Sequence, residues 1–259
     1  MNKLSGPART RVADGDSAAV LIAHLFAQCD RNIPGIECAV EYRLAEANSG
    51  GDIVDVYQFD NGSVALSIAD ISGKGTQAAI HAALIKYGLR AYSSHGLTPE
   101  KTMRAMDRLY LENSTFESID SFASVFFAMV DVNRRVLTYS SAGHDPVILV
   151  HPHCEPRILP PTAPIIGVFD DQHSLFREES MELWPGSLLV ATTDGATEVR
   201  NRAGEFFGND RLLECVRQNR DKPSAAIVAA IIEDVASFGS GVWHDDVAIL
   251  VVRFHESRA

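Results

Sequence analysis

The 259-residue chain has little cysteine, no excess of positive charge and no long apolar run, and each lack excludes a class of protein. Its four cysteines, Cys29, Cys38, Cys154 and Cys215, contain no Cys-x-x-Cys pair. That speaks against a structural zinc site, a redox dithiol or a disulfide-stapled secreted domain, and it fits a reducing, cytoplasmic setting. Twenty-three basic residues face 34 acidic ones, a formal net charge of −11, whereas sequence-independent binding of nucleic acid needs a basic face. Near the N-terminus the best apolar run, Ala18 to Ala27, is broken by His24 and falls short of the ~20 residues that span a bilayer. No signal-peptide core precedes it. Nucleic acid and membrane are therefore not expected partners.

What is present is an ordinary globular composition, 46% hydrophobic and 22% charged, which is enough for a large core. The length exceeds the usual ~100–200 residues of one domain without reaching two, so the expectation is one large domain with appendages. Residues 1–15 read as a flexible tail and 16–33 as a leading helix carrying the stripe Val20, Leu21, Leu25 and Phe26. That stripe, within 16–30, is an expected homodimer contact. The folded domain is expected over 34–256. Within it, strand-type segments run over 36–45, 52–59 and 63–71, the last two joined by Asn61-Gly62, a strong hairpin signal. Helices are predicted over 77–91 and 99–112, strands over 121–132, 135–142, 146–151, 175–183 and 187–194, helices over 210–218 and 224–238, and a last strand over 246–254. Grouped strands and paired helices, without βαβ alternation, predict an α+β fold.

Several aspartates stand at the ends of very apolar strands, beside glycine. Asp52 follows Gly50-Gly51, Asp70 precedes Ile71-Ser72-Gly73-Lys74-Gly75, Asp194 precedes Gly195, and Asp245 with Asp246 opens the last strand. Any one of them reads as a turn residue, since Asp and Gly are the commonest turn formers. Four strand ends with the same chemistry suggest more. If they converge, their charges would need a cation between them, and an all-carboxylate set suits a hard ion such as Mg²⁺ or Mn²⁺. Convergence itself cannot be read from one sequence.

The ordered set GGDIVDV (50–56), ADISGKG (69–75), SAGHDP (141–146), TTDGATE (192–198) and HDDVAIL (244–250) resembles the PPM-type metal-dependent serine/threonine phosphatases, in their bacterial SpoIIE/RsbU branch. It covers about residues 36–254. The resemblance implies a four-layer αββα sandwich, two antiparallel sheets flanked by helix pairs, with two divalent cations, Mn²⁺ or Mg²⁺, at one end. It implies Asp52, Asp70, Asp194, Asp245 and the main-chain carbonyl of Ile71 as metal ligands, the four carboxylates acting in catalysis through metal-bound water. Asp55 and Asp246 are secondary choices, and Gly73 and Lys74 form a turn able to face an anion. His144 serves as a turn-fixing residue or an acid, and Arg43 as a phosphate contact or a solvated charge. Ile53-Val54 stand where the family commonly has aromatics after GGD, and Ser72 where eukaryotic relatives have a histidine.

The implied activity is dephosphorylation of phosphoserine or phosphothreonine by a metal-bridging water. The implied substrate is a phosphorylated regulator such as a STAS-domain anti-sigma-factor antagonist, with an upstream sensor or activating partner. A catalytically inactive module of the same fold that binds a regulatory partner is the alternative.

Overall fold

The strands Val147–Val150, Leu188–Thr192 and Val247–Phe254 are apolar at nearly every position because both of their faces are covered. Val247, Ile249 and Val251 pack outward with Ile227, Ile231 and Val235 of a helix, while Ala248, Leu250 and Val252 pack inward against the other sheet. The same alternation sorts Leu188 and Val190 from Leu189 and Ala191. Period-2 geometry thus feeds two separate apolar layers from one run of sequence.

The computed structural model describes residues 9–10, 26–30, 33–44, 50–114, 121–168 and 175–256. In chain order its elements are β1 (Arg9–Thr10), β2 (Ala27–Cys29), β3 (Ile36–Arg43), β4 (Ile53–Gln58), β5 (Val64–Ile71), α1 (Gly75–Ser94) and α2 (Pro99–Ser114). There follow β6 (Ala123–Asp131), β7 (Val136–Ala142), β8 (Val147–Val150), β9 (Arg157–Leu159), β10 (Glu179–Glu182) and β11 (Leu188–Thr192). The short α3 (Asp194–Thr197), then α4 (Gly208–Asn219), α5 (Ser224–Phe238) and β12 (Val247–Phe254) complete the described chain.

One sheet has the order β1-β3-β12-β11-β8-β9 and the other β10-β7-β6-β5-β4-β2. Helices α1 and α2 lie on the second sheet, and α4 and α5 on the first. The expected αββα sandwich is therefore present. Its sheets are antiparallel except at one edge each, where β1 runs parallel to β3 and β2 parallel to β4. The Asn61-Gly62 turn joins β4 to β5 as expected, with the Asn61 carboxamide oxygen accepting from the Ser63 amide at 3.0 Å. Two short elements, β9 and α3, lie in segments read as a loop and as a strand end.

Most of the expected leading helix, and the dimer contact assigned to it, lie outside the described residues. Its end is a correction: Ala27–Cys29 is a strand, because its backbone groups pair with Val54–Val56 at the sheet edge. No helix among the described residues is long and apolar enough to cross a membrane.

Asp55 lies on the other face of its strand. It stands three residues after Asp52, an odd spacing, so the pleat turns the two side chains to opposite faces. Asp55 faces α1, fully buried, where the Arg90 guanidinium binds it through Nε at 2.6 Å and Nη2 at 2.7 Å, with Lys86 Nζ at 3.7 Å. Arg90 also lies over the Tyr57 ring at 4.3 Å. Asp55 anchors a helix to the sheet through these ion pairs. Removing it strands two cations against the sheet, so Asp55→Ala should lower the unfolding free energy in urea by about 3–5 kcal/mol. It should leave the affinity for Mn²⁺, read by calorimetry on the folded variant, within about twofold.

Candidate metal centre and active site

Register alone gathers the strand-end acids. Ile53 pairs with Ala69, which sets Asp52 beside Asp70 where β4 begins and β5 ends. Asp70 pairs with Ser124 at the start of β6, and Val125 with Ala142 at the end of β7, so the following turn brings His144 and Asp145 to the same end. In the opposing sheet Thr192 pairs with Ile249, placing Asp194 near Asp245 and Asp246. A hydrogen bond then ties the two sheets at that end: Thr193 Oγ1 donates to Asp52 Oδ2 at 2.7 Å and accepts from the Ala248 amide at 2.9 Å.

Two glycines permit the approach. A Cβ on Gly51 would stand 2.6 Å from the Ile71 carbonyl oxygen, and one on Gly195 would stand 1.8 Å from the carbonyl oxygen of Asp246. Neither contact is possible, so the GGD and DG pairs are spacing requirements of the site.

The acids feel one another. Burial pushes the Asp52 carboxyl well above the usual carboxylate range; repulsion from Asp70, Asp246 and Asp194 adds to it, and the Thr193 hydrogen bond opposes it. Asp70 is pushed up to about 7, first by burial and then by Asp194, Asp245, Asp145 and Asp246. Asp194 is raised by burial, Asp245 and Glu198, and Asp145 is raised to about 6 by burial, Asp194 and Glu198. Tyr42 is pushed in the same direction by burial and by Asp52, Asp246 and Asp70.

The proposed ligands Asp52, Asp70, Asp194 and Asp245 thus share one electrostatic neighbourhood, with the Ile71 carbonyl beside Gly51. Among the described residues, no three His, Cys, Asp or Glu groups form a ready-made metal cage. The fit to a cation lies in the donor set, several carboxylates that are costly to ionise together, and that set suits a hard divalent ion. Of the pair that opens the last strand, Asp245 is exposed and accepts from the Asp246 amide at 2.9 Å, while Asp246 is 3% exposed and faces Asp52 and Asp70.

The remaining candidates are placed as follows. Gly73 and Lys74 are exposed in the turn into α1, Gly73 at φ 109 with open space around it, and Ser72 staples that turn to Phe122 through bonds of 2.8 and 2.9 Å. Arg43 binds Glu41 at 3.2 Å and lies over the Trp243 ring at 5.1 Å, so its guanidinium is engaged at the rim. His144 is buried and pairs through Nδ1 with Ser124 Oγ at 2.9 Å. Burial holds its pKa down to about 3, which favours the neutral ring.

These motifs can be compared with known families. The model of the Stage II sporulation protein E (SpoIIE) family matches residues 60–255. The chain belongs to the SpoIIE family. It stands in the SpoIIE/RsbU branch of the PPM-type phosphatases. This SpoIIE-family chain is similar to the phosphoserine phosphatase RsbU of Bacillus subtilis, 25% identical over 202 residues that cover 77% of this chain and 58% of RsbU. Its fold matches the RsbU and RsbW domains of Rv1364c from Mycobacterium tuberculosis, with TM-score 0.75, 23% identity and coverage of 91% of this chain and 63% of that one. It also matches RsbX, solved in complex with magnesium, with TM-score 0.64, 19% identity and coverage of 88% and 98%. The chain spans less than two thirds of the length of the curated relatives it matches.

Sequence reasoning overlooked Asp145, Thr193 and Glu198 in this SpoIIE-family site, although all three fall inside motifs already singled out, SAGHDP and TTDGATE.

A raised carboxyl pKa in the folded state makes folding take up a proton. The metal-free protein should therefore lose stability as pH rises from about 4, where unfolded Asp ionises, to about 7, where folded Asp70 does. In EDTA, Asp70→Asn should match the parent melting temperature at pH 4 and exceed it by several degrees at pH 8. An equal gap at both pH values would contradict the electrostatic reading.

Proposed function

We propose that this chain is a divalent-metal-dependent phosphoserine/phosphothreonine protein phosphatase, with Asp52, Asp70, Asp194, Asp245 and the Ile71 carbonyl holding two cations, Mn²⁺ or Mg²⁺. The observation that carries the reading is the grouping of these carboxylates at one end of the sandwich, where burial and mutual repulsion raise Asp52, Asp70 and Asp194. Membership of the SpoIIE family and the likeness to RsbU support it, as does the magnesium in the RsbX structure. Bound cations supply a water of lowered pKa and neutralise the charge of the phosphate and of the departing alkoxide.

The chain's own residues do the positioning. Thr193 fixes the Asp52 carboxylate while holding the start of β12, so the ligands of the two sheets keep one spacing. Ser124, opposite Asp70 in the ladder, is oriented by neutral His144. Burial favours neutral His144, which suits a hydrogen-bonding role toward Ser124. We place the reaction in the cytoplasm, on a phosphorylated regulator of the STAS antagonist type, under an upstream sensor or activating partner. RsbU-like relatives and a stressosome neighbour support that class of partner.

With Mn²⁺ added, the protein should hydrolyse p-nitrophenyl phosphate and a phosphoserine protein, and EDTA should abolish both activities. Asp70→Ala and Asp194→Ala should each lower kcat by at least about a hundredfold. Metal-independent folding with no turnover on either substrate and no heat of Mn²⁺ binding would instead favour the non-catalytic binding module. Thr193→Val should weaken Mn²⁺ binding about 10- to 100-fold, because it removes the hydrogen bond that orients Asp52. Titration calorimetry reads that change directly.

A further inference from the structure

Among the described residues, Tyr42, Tyr57, Tyr110 and Tyr139 are buried tyrosines. Three of their hydroxyls are served inside the chain: Tyr57 shares a hydrogen bond with Ser93 Oγ at 2.9 Å, Tyr110 shares one with Ser121 Oγ at 2.6 Å, and Tyr139 donates to Glu179 Oε2 at 3.0 Å. The Tyr42 hydroxyl has no hydrogen-bond partner among the described residues, and at 1% exposure bulk water does not reach the residue either. Buried phenols ordinarily find a partner, and an orphaned one asks for an explanation. Its place in the fold supplies one.

Tyr42 lies with Val40 on the inward face of β3, packed toward the other sheet. It pairs with Ala248 of β12, and because Thr192 pairs with Ile249, the next residue, Thr193, falls opposite Ala248 on the far side. Tyr42, Ala248 and Thr193 thus form one cross-strand row. Thr193 is the residue whose hydroxyl donates across the sheets to Asp52 Oδ2 at 2.7 Å, and only the methyl group of Ala248 stands between it and Tyr42. Asp246, two residues before Ala248, turns to the same inward face. The electrostatics agree with this placement: after burial, the groups that oppose ionisation of the Tyr42 phenol are Asp52, then Asp246, then Asp70. A phenol that keeps its proton beside carboxylates is a donor to them.

We infer that Tyr42 is a positioning residue of the metal centre, its hydroxyl serving with Thr193 as a second donor to the Asp52 carboxylate when Asp52 holds a cation. The inference rests on the phosphatase reading above, in the part that makes Asp52 a ligand. Hydrogen bonds to an ionised carboxylate are the strong ones, and those made to a ligating carboxylate set the direction in which it meets its ion. One donor fixes a carboxylate oxygen in place. Two donors from the facing sheet fix the plane of the group as well. The role is one of orientation, and no contact between Tyr42 and the phosphate is assigned.

The test is Tyr42→Phe in the full chain, which removes the oxygen and keeps the ring, with Val40→Ala as a packing control on the same face of β3. Titration calorimetry reads Mn²⁺ affinity on the folded proteins, urea unfolding in EDTA reads stability, and p-nitrophenyl phosphate reads turnover. Tyr42→Phe should bind Mn²⁺ about tenfold more weakly. Its urea midpoint in EDTA should equal or exceed that of the parent, since the hydroxyl it loses has no partner there. Excess Mn²⁺ should restore most of its turnover. Val40→Ala should show the opposite pattern, a lower midpoint with Mn²⁺ affinity within about twofold of the parent.

Unchanged Mn²⁺ affinity in Tyr42→Phe, in a protein that turns substrate over, would overturn this role and leave the phosphatase reading standing. An equal loss of affinity in Val40→Ala would do the same, because packing alone would then account for it. Weaker Mn²⁺ binding by Tyr42→Phe alone, with no turnover by variant or parent, would keep the role of Tyr42 in a metal centre and overturn the phosphatase reading. A parent that gives no heat of Mn²⁺ binding would overturn both.

Discussion

Carboxylates held together away from bulk water are the constraint on which this molecule turns. Each would rather be solvated or neutral, and their mutual repulsion opposes the packing of the two sheets at the end where they meet. The fold resists that repulsion with the large apolar layers behind the site and with a few specific bonds in front of it. Thr193 is the most economical of these, since a single hydroxyl accepts from one sheet and donates to a carboxylate of the other. A divalent cation would turn the same repulsion into attraction, which is why the proposed activity and the stability of this end of the sandwich are coupled.

A second set of charges shows the opposite solution. Asp55 is as buried as Asp52, yet it meets Arg90 and Lys86 and needs no ion. Two acids three residues apart thus have different fates, decided by which face of the extended chain they occupy. One fixes a helix to the sheet. The other is left to be neutralised from outside the chain.

Much of the architecture was legible in the residues. The Asn61-Gly62 turn, the unbroken apolar runs of β11 and β12 and the Thr98-Pro99 start of α2 each carry a local physical signal that survived packing. The end of the expected leading helix did not survive, because Ala27–Cys29 gains more from pairing with an open sheet edge than from its own helical spacing. Strand β9 was hidden for the same reason: three residues in a proline-rich stretch have no period, and only β8 beside them makes a strand. The overlooked Asp145 and Glu198 sit in turns, where residue type says little and neighbours decide.

By itself the sequence determined the α+β class, the acidic balance and the presence of aspartates at four apolar strand ends, because periodicity and turn chemistry are local properties of the chain. Tertiary structure alone decided that those ends face one another and that Asp55 turns away from them. Such facts depend on register and on which sheet covers which, and two residues 141 positions apart, such as Asp52 and Thr193, share a hydrogen bond only once both sheets have closed.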